Sequence, residues 1–240
     1  MWFLTYYVKN KKSIQNAFAE SGTFGHLLLE KFAKGELYAW DLIDEFIDGY
    51  DENVTMRFPY NKYVDLGEKN YNCGLNYFEK FEGFDDIGTI VGAEIEVDTY
   101  LEDGDIKYPY IGFIDLLLKD NGEYIVLDHK SKSKFKNKKE QAEYSRQLYT
   151  YCKYVKEKYG KFPKELIFNM FNADDLVRIE FNIDDYNEAI KWCIDSINEI
   201  KNEVEFNKYI DEFFCKNLCN HREICGFEEK DKAIKEVEEC

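Results

Sequence analysis

The stretch from 112 to 132, GFIDLLLKDNGEYIVLDHKSK, places two apolar runs on either side of Asn121-Gly122. Asn-Gly between such runs is the strongest short-range hairpin signal, because a two-residue type I′ turn needs positive φ at both positions. Counting outward from the turn pairs Asp120 with Glu123, Leu118 with Ile125 and Asp115 with Asp128. A four-residue loop from Asp120 to Glu123 leaves that register unchanged. Lys130 projects from the same sheet face as Asp128, since strand side chains alternate. Asp115, Asp128 and Lys130 are therefore expected to converge.

Like charges placed opposite one another in a sheet cost roughly a few tenths to 1 kcal/mol, and partial burial raises the cost. A divalent cation between the carboxylates removes the conflict, and hard oxygen ligands suit Mg²⁺ or Mn²⁺. The alternative is that both aspartates lie on a solvent face with Lys130 as an ordinary ion-pair partner. Against it, that face also carries Leu117 and Val126, which call for cover. Two carboxylates and a lysine on one face suit phosphodiester hydrolysis. The metal polarises phosphate and acidifies water, and the lysine positions that water or neutralises charge building on the phosphate.

The rest of the chain frames this hairpin. Residues 13–50 have helical spacing, with Gly22, Gly25 and Gly35 as interruptions, and LGEKNYNCGLNYFEKF suits a second helical stretch. The period then changes to two over 89–101, a half-buried strand. Residues 138–160 form the strongest helix, stopped by Gly160 and Pro163. Strands are expected at 165–171 and 176–182, and a helix with an Asp-rich start at 184–206. The pattern is α/β, one domain with a C-terminal attachment.

At 240 residues the chain is long enough for one well-buried core. Its net charge of −16 excludes holding nucleic acid by bulk electrostatics, so any such partner must be gripped locally. The basic run Lys132, Lys134, Lys136, Lys138 and Lys139 is a solvated face or a local phosphate guide. The opening MWFLTYYVKNKK lacks a signal-peptide cleavage site, and no 18-residue apolar span appears, so the expected location is cytoplasmic, without a membrane. Seven cysteines in that compartment favour free thiols or metal ligands over disulfides.

Taken together, GFIDLLL…YIVLDHKSK resembles the PD-(D/E)XK nucleases, in particular the RecB/AddB-like branch with its CRISPR-associated and phage iron–sulfur exonucleases. Asp115, with Gly112, matches the first motif aspartate, and Asp128-His129-Lys130 matches D-x-K. His26 in GTFGHLLLEKFAKGE matches the upstream metal-binding histidine, and Gln147 and Tyr151 in QLYTY match Q-x-x-x-Y. The resemblance implies a restriction-endonuclease-like fold over 1–210, with a helical part to about residue 86. A cysteine-containing segment at 211–240 would pack on the same domain. It implies a metal held by His26, Asp115, Asp128 and the His129 backbone carbonyl, with Lys130 assisting the attacking water. Gln147 and Tyr151 would touch the phosphate or the substrate strand, against a simpler reading as helix–sheet packing. Glu30 is a less favoured orienter of His26. Of Glu94 and Glu96, Glu94 is the preferred extra metal-shell residue, unless both are exposed.

The tail, CKNLCNHREIC, spaces Cys215, Cys219 and Cys225 as a metal or iron–sulfur site would, or holds scattered structural cysteines. The resemblance implies a [4Fe–4S] cluster with a fourth cysteine near the N terminus. No cysteine precedes Cys73, so Cys73, Cys240 and His221 are the candidates here, and the expectation is a start clipped or misassigned upstream of MWFLTYY. The expected activity is a metal-dependent DNA nuclease, an exonuclease on single-stranded or end-bearing DNA, with no membrane and with a helicase or recombination protein as a further partner. Two alternatives stand beside it: a catalytically silent nuclease-fold module that binds such a partner, and a metal-dependent hydrolase of another substrate.

Overall fold

The computed structural model describes residues 15–205 and 210–221. Among the described residues three α-helices come first: α1 (Ala17–Ala33), α2 (Leu42–Asn53) and α3 (Leu66–Lys80). The long strands β1 (Thr89–Asp103) and β2 (Ile106–Asp120) follow, then β3 (Glu123–Lys130). Helix α4 (Lys138–Tyr159) crosses to β4 (Glu165–Met170), and β5 (Asp175–Glu180) and α5 (Ile183–Asn202) complete the described core. Asn121 and Gly122 take φ of 49° and 84°, as a type I′ turn requires. Asp120 pairs with Glu123 and Leu118 with Ile125, the register counted from that turn.

The five strands form one mixed sheet in the order β1-β2-β3-β4-β5. Only β3 and β4 run parallel, and a parallel pair needs a crossover of the kind α4 supplies. One face of the sheet packs Leu116, Leu118, Ile125, Leu127 and Ile167 against residues of α1, α2 and α3 such as Leu28, Phe46 and Phe78. The other packs Leu117, Val126, Leu166 and Phe168 against Leu148, Cys152 and Val155 of α4 and Ala189 of α5. This is an α/β fold of the restriction-endonuclease-like kind, a mixed central sheet flanked by helices.

Local chemistry accounts for the ends of the elements. The side chain of Asn137 caps α4 by accepting from Glu140 N, and Gly160 stops that helix in the left-handed region at φ 82°. Asn182 caps α5, with Asp184 and Asp185 in the first turn, where negative charge suits the helix dipole.

Two expectations need correction. Gly22 and Gly25 do not interrupt α1, which is continuous from Ala17 to Ala33. A Cβ at Gly22 would lie 2.7 Å from Ser131 Oγ, so the missing side chain lets the helix ride close to the end of β3. The strand at 89–101 also runs further, turning at Gly104 (φ 58°) into a β2 that starts at Ile106. Polar residues and Pro109 masked that extension. Pro109 is tolerated because the β2–β3 ladder ends at Leu116, leaving this part of β2 without a second neighbour.

The π-helical turn Phe214–Leu218 carries Cys215, and Asn16 Nδ2 donates to Leu218 O at 3.2 Å, tying this segment to the start of α1. Cys225, Cys240 and the opening MWFLTYYVKNKK lie outside the described residues. Among the described residues, no helix is long and apolar enough to cross a membrane.

Candidate functional site

The site lies where β2 parts from β3. The ladder between them runs from Asp120↔Glu123 to Leu116↔Leu127 and stops. At the next position Asp115 Oδ2 accepts the His129 backbone N–H at 2.7 Å. A carboxylate thus replaces a strand-to-strand rung.

The same point breaks the alternation of β2 and β1. Ile114 packs on the α4 side and Leu116 on the α1 side, although they are two residues apart. Ile95 and Ala93 of β1 divide in the same way. Pairing passes from Ile95↔Ile114 to Ala93↔Leu116 with no rung between Glu94 and Asp115. Glu94 takes φ 48°, a left-handed conformation uncommon for a residue with a side chain.

The consequence is a group of three. Donor atoms of His26, Glu94 and Asp115 all lie within 4.8 Å of one another. His26 comes from α1, Glu94 from β1 and Asp115 from β2, and His26 Nδ1 is 3.4 Å from Asp115 Oδ2. One imidazole nitrogen and two carboxylates make a mixed donor set that Mn²⁺ or Mg²⁺ accepts.

Asp128, expected to share an ion with Asp115, feels the charges of both Asp115 and His26. It stands outside the group of three. Its Oδ2 is 2.6 Å from Lys130 Nζ, a charge contact, yet this buried oxygen has no well-aligned hydrogen bond. The broken alternation at Asp115 is the reason: strict period-two counting put both carboxyls on one face, and the strand does not keep that period there.

Electrostatics tie the two aspartates together even so. Burial pushes the Asp115 carboxyl up to about 6, opposed by the His129 N–H and Lys130. Burial likewise lifts Asp128 to about 6; Lys130 opposes this and the charge of Asp115 adds to it. Glu94 is raised by burial and by Glu30. Burial lowers His26, which favours the neutral imidazole that acts as a ligand. The donors crowd negative charge into a poorly solvated place, the electrostatic condition a cation relieves.

Behind the strands runs a second chain of contacts. Lys130 Nζ donates to Gln147 Oε1 at 3.2 Å, and Gln147 Nε2 donates to the Tyr151 hydroxyl at 2.8 Å. Both partners lie on α4, four residues apart. Tyr151 is only 3% exposed, so its contact is with Gln147 and not with the open side where a substrate would lie. Its ring also explains Gly112: a Cβ there would lie 2.8 Å from the Tyr151 ring.

Other residues singled out in the sequence fall away from the three donors. Glu30 pairs with Lys34, and Glu96 is exposed opposite Phe113. Lys132 is held by Glu140 at 2.7 Å and over the Tyr144 ring at 4.7 Å, while Lys134, Lys136, Lys138 and Lys139 are exposed. Cys215, Cys219 and His221 are buried and Cys73 lies on α3. Among the described residues they form no three-ligand group like that at His26.

The sequence reading missed Asn169. Its Nδ2 lies 2.9 Å from His129 Nδ1 and donates to the Tyr77 hydroxyl at 2.7 Å, all three being buried. This network anchors the residue whose backbone N–H holds Asp115. An asparagine inside the apolar run ELIFNM was the available signal.

The model of the PD-(D/E)XK nuclease superfamily matches residues 1–226. The chain belongs to the PD-(D/E)XK nuclease superfamily. No curated protein matches it. Among solved structures, the crystal structure of SSO0001 is similar at 17% identity over 85% of this chain and 96% of that one, with a TM-score of 0.37, too loose a likeness to carry any argument. Membership points to a nuclease that works with divalent metal, and the donors His26, Glu94 and Asp115 suit one. The stretch resembling the superfamily's D-x-K, Asp128-His129-Lys130, ends β3 directly beside them.

Proposed function

We propose that this PD-(D/E)XK protein is a Mg²⁺- or Mn²⁺-dependent deoxyribonuclease of the RecB-like kind, acting on single-stranded or end-bearing DNA. The observation that carries the proposal is the meeting of His26, Glu94 and Asp115 donors within 4.8 Å, next to the pair of buried Asp128 and half-buried Lys130.

In this reading His26, Glu94 and Asp115 hold the metal, with Asp128 and the His129 carbonyl completing its surroundings. The bound ion supplies Lewis acidity to the scissile phosphate and makes water a better nucleophile at neutral pH. Asp115 keeps its place through the hydrogen bond its carboxylate accepts from the His129 N–H. Lys130, steered between Asp128 and Gln147, orients the attacking water or offsets charge growing on the phosphate. Gln147 and Tyr151 act by holding Lys130, a change from the substrate contact that the family resemblance implied.

The test is cleavage of end-labelled single-stranded and duplex DNA, and of RNA, with Mn²⁺ and with Mg²⁺. DNA should be cut only with metal, and Lys130→Ala should lose at least about 100-fold in rate, within the range of general acid–base and electrostatic contributions. Purified protein that cuts no nucleic acid with either ion, or a Lys130→Ala variant as active as the parent, overturns the proposal.

A further inference from the structure

The loop between α2 and α3 presents aromatic and basic side chains to solvent. Tyr60 is 91% exposed and Tyr63 is 83% exposed. Single exposed apolar residues are ordinary on protein surfaces, but here two rings stand almost bare within four residues. Arg57 and Lys62 accompany them, and no acidic residue occurs from Asn53 to Val64, in a chain whose net charge is −16. Lys62 Nζ sits 4.6 Å from the centre of the Tyr63 ring.

The loop is held firmly at its base. Glu20 accepts the backbone N–H groups of Thr55 and Met56, both at 2.8 Å. Phe58 packs edge-on against Phe18 of α1 at 5.0 Å, and Asn61 Oδ1 accepts from Tyr63 N at 2.9 Å. A loop anchored at its base in this way offers binding area with less backbone entropy left to lose.

The position of the loop links it to the metal donors. Phe18, Gly22 and His26 are spaced i, i+4, i+8, so they form one stripe along α1. Phe18 meets the loop through Phe58, Gly22 lies against Ser131 just beyond Lys130, and His26 meets Asp115. From Phe18 to His26 the helix rises about 12 Å at 1.5 Å per residue. That is about the length of three or four nucleotides stacked at 3.4 Å.

We propose that the loop from Arg57 to Tyr63 is a docking platform for unpaired nucleotides, on which Tyr60 and Tyr63 stack bases of the strand whose phosphate reaches the His26–Glu94–Asp115 donors. Arg57 and Lys62 supply the local positive charge that an acidic protein needs beside a phosphate backbone. Stacking requires open ring faces, which paired bases in a duplex do not offer, so the platform selects single strands. The inference rests on the nuclease reading for the position of the phosphate, but not for the stacking itself.

The experiment compares the full-length parent, a Tyr60→Ala/Tyr63→Ala variant and a Tyr60→Phe/Tyr63→Phe variant. Each is titrated with a fluorescently labelled 12-nucleotide single strand and with a blunt duplex of the same sequence, using Ca²⁺ in place of Mn²⁺. Stacking on one aromatic is worth about five- to 150-fold in affinity. The alanine variant should therefore lose fivefold or more on the single strand, and the phenylalanine variant should stay within that limit. A smaller loss with alanine, or an equal loss on the blunt duplex, overturns the platform; a protein-docking role would give the first of these. Hydrolysis of a small phosphodiester, bis(4-nitrophenyl) phosphate, is followed in parallel with Mn²⁺. Failure there in the parent counts against the nuclease reading alone, while strand binding still decides the platform.

Discussion

Asp115 Oδ2 takes the backbone N–H of His129 at 2.7 Å, and by doing so closes the gap where β2 leaves β3. The carboxyl thus has a structural contact and a charge, and the two are separable. An asparagine oxygen can accept the same N–H, so Asp115→Asn keeps the contact and removes the charge. Since burial disfavours that charge, the variant should melt at or above the parent temperature without metal, and gain nothing from Mn²⁺. Asp115→Ala drops the contact as well, and leaving a buried N–H unmet costs about 1–3 kcal/mol. Thermal melts of both variants with and without Mn²⁺ check this. An asparagine variant that still gains the parental stabilisation from Mn²⁺ would remove Asp115 from the metal site.

Acidity provides an independent handle. Asp115 and Asp128 ionise at about 6 in the fold, well above the ordinary aspartate value of 3.8. The folded chain therefore holds these protons more tightly than the unfolded chain. Their stabilising contribution is complete below about pH 4 and is lost as pH rises through about 6. Metal works in the opposite direction because it needs ionised carboxylates, so binding releases protons. The rise in melting temperature caused by Mn²⁺ should be small at pH 5 and level off above pH 7. Calorimetry at pH 6 in two buffers of different ionisation enthalpy should show proton release. Equal metal stabilisation at pH 5 and pH 7.5 is the result that contradicts this account.

Much of this architecture was written in local signals. Asn121-Gly122 set the hairpin register, and Asn137 and Gly160 bracket the helix that crosses between parallel strands. His26 and Asp115 were both recognisable and the fold brings them together. Period-two counting failed at one place, Asp115, because β1 and β2 both change the layer into which their side chains point there. That irregularity separates Asp128 from the three donors and brings Glu94 in through a positive φ. Neither a backbone angle nor a missing rung has a residue signature when the residue is glutamate. Glycine was misread for a related reason: Gly22 inside a helix looks like a break until the Ser131 side chain it accommodates is known.

The spacing of Cys215, Cys219 and Cys225 supports a cluster-binding tail, which is a proposal separate from the nuclease site. Protein purified without oxygen should carry iron and sulfide with broad visible absorption, and Cys215→Ser should lose that colour. The parent should also melt higher than the variant, since metal bound only by the folded chain adds to its stability. Colourless, iron-free parent protein from such a preparation would falsify the cluster.

The chain from Asp128 through Lys130 and Gln147 to Tyr151 yields the sharpest division between holding a metal and using it. None of the last three belongs to the group of donors around His26, so changes there should leave Mn²⁺ affinity within about twofold. Gln147→Ala removes one of the two groups that steer Lys130, and Tyr151→Phe removes the hydroxyl that orients Gln147. Both should lower kcat for DNA cleavage, the first more than the second, by about 10-fold or more where a positioned hydrogen bond is lost. Gly112→Ala approaches the same relay from β2. Its Cβ meets the Tyr151 ring at 2.8 Å, an overpacking expected to cost about 1–3 kcal/mol and to displace the tyrosine. Pairing Gly112→Ala with Tyr151→Leu should recover part of that stability without restoring cleavage, because the hydroxyl is still missing. Mn²⁺ affinity falling in step with kcat across these variants would show that the relay shapes the donors themselves, and the division drawn between Lys130 and the His26 group would fail.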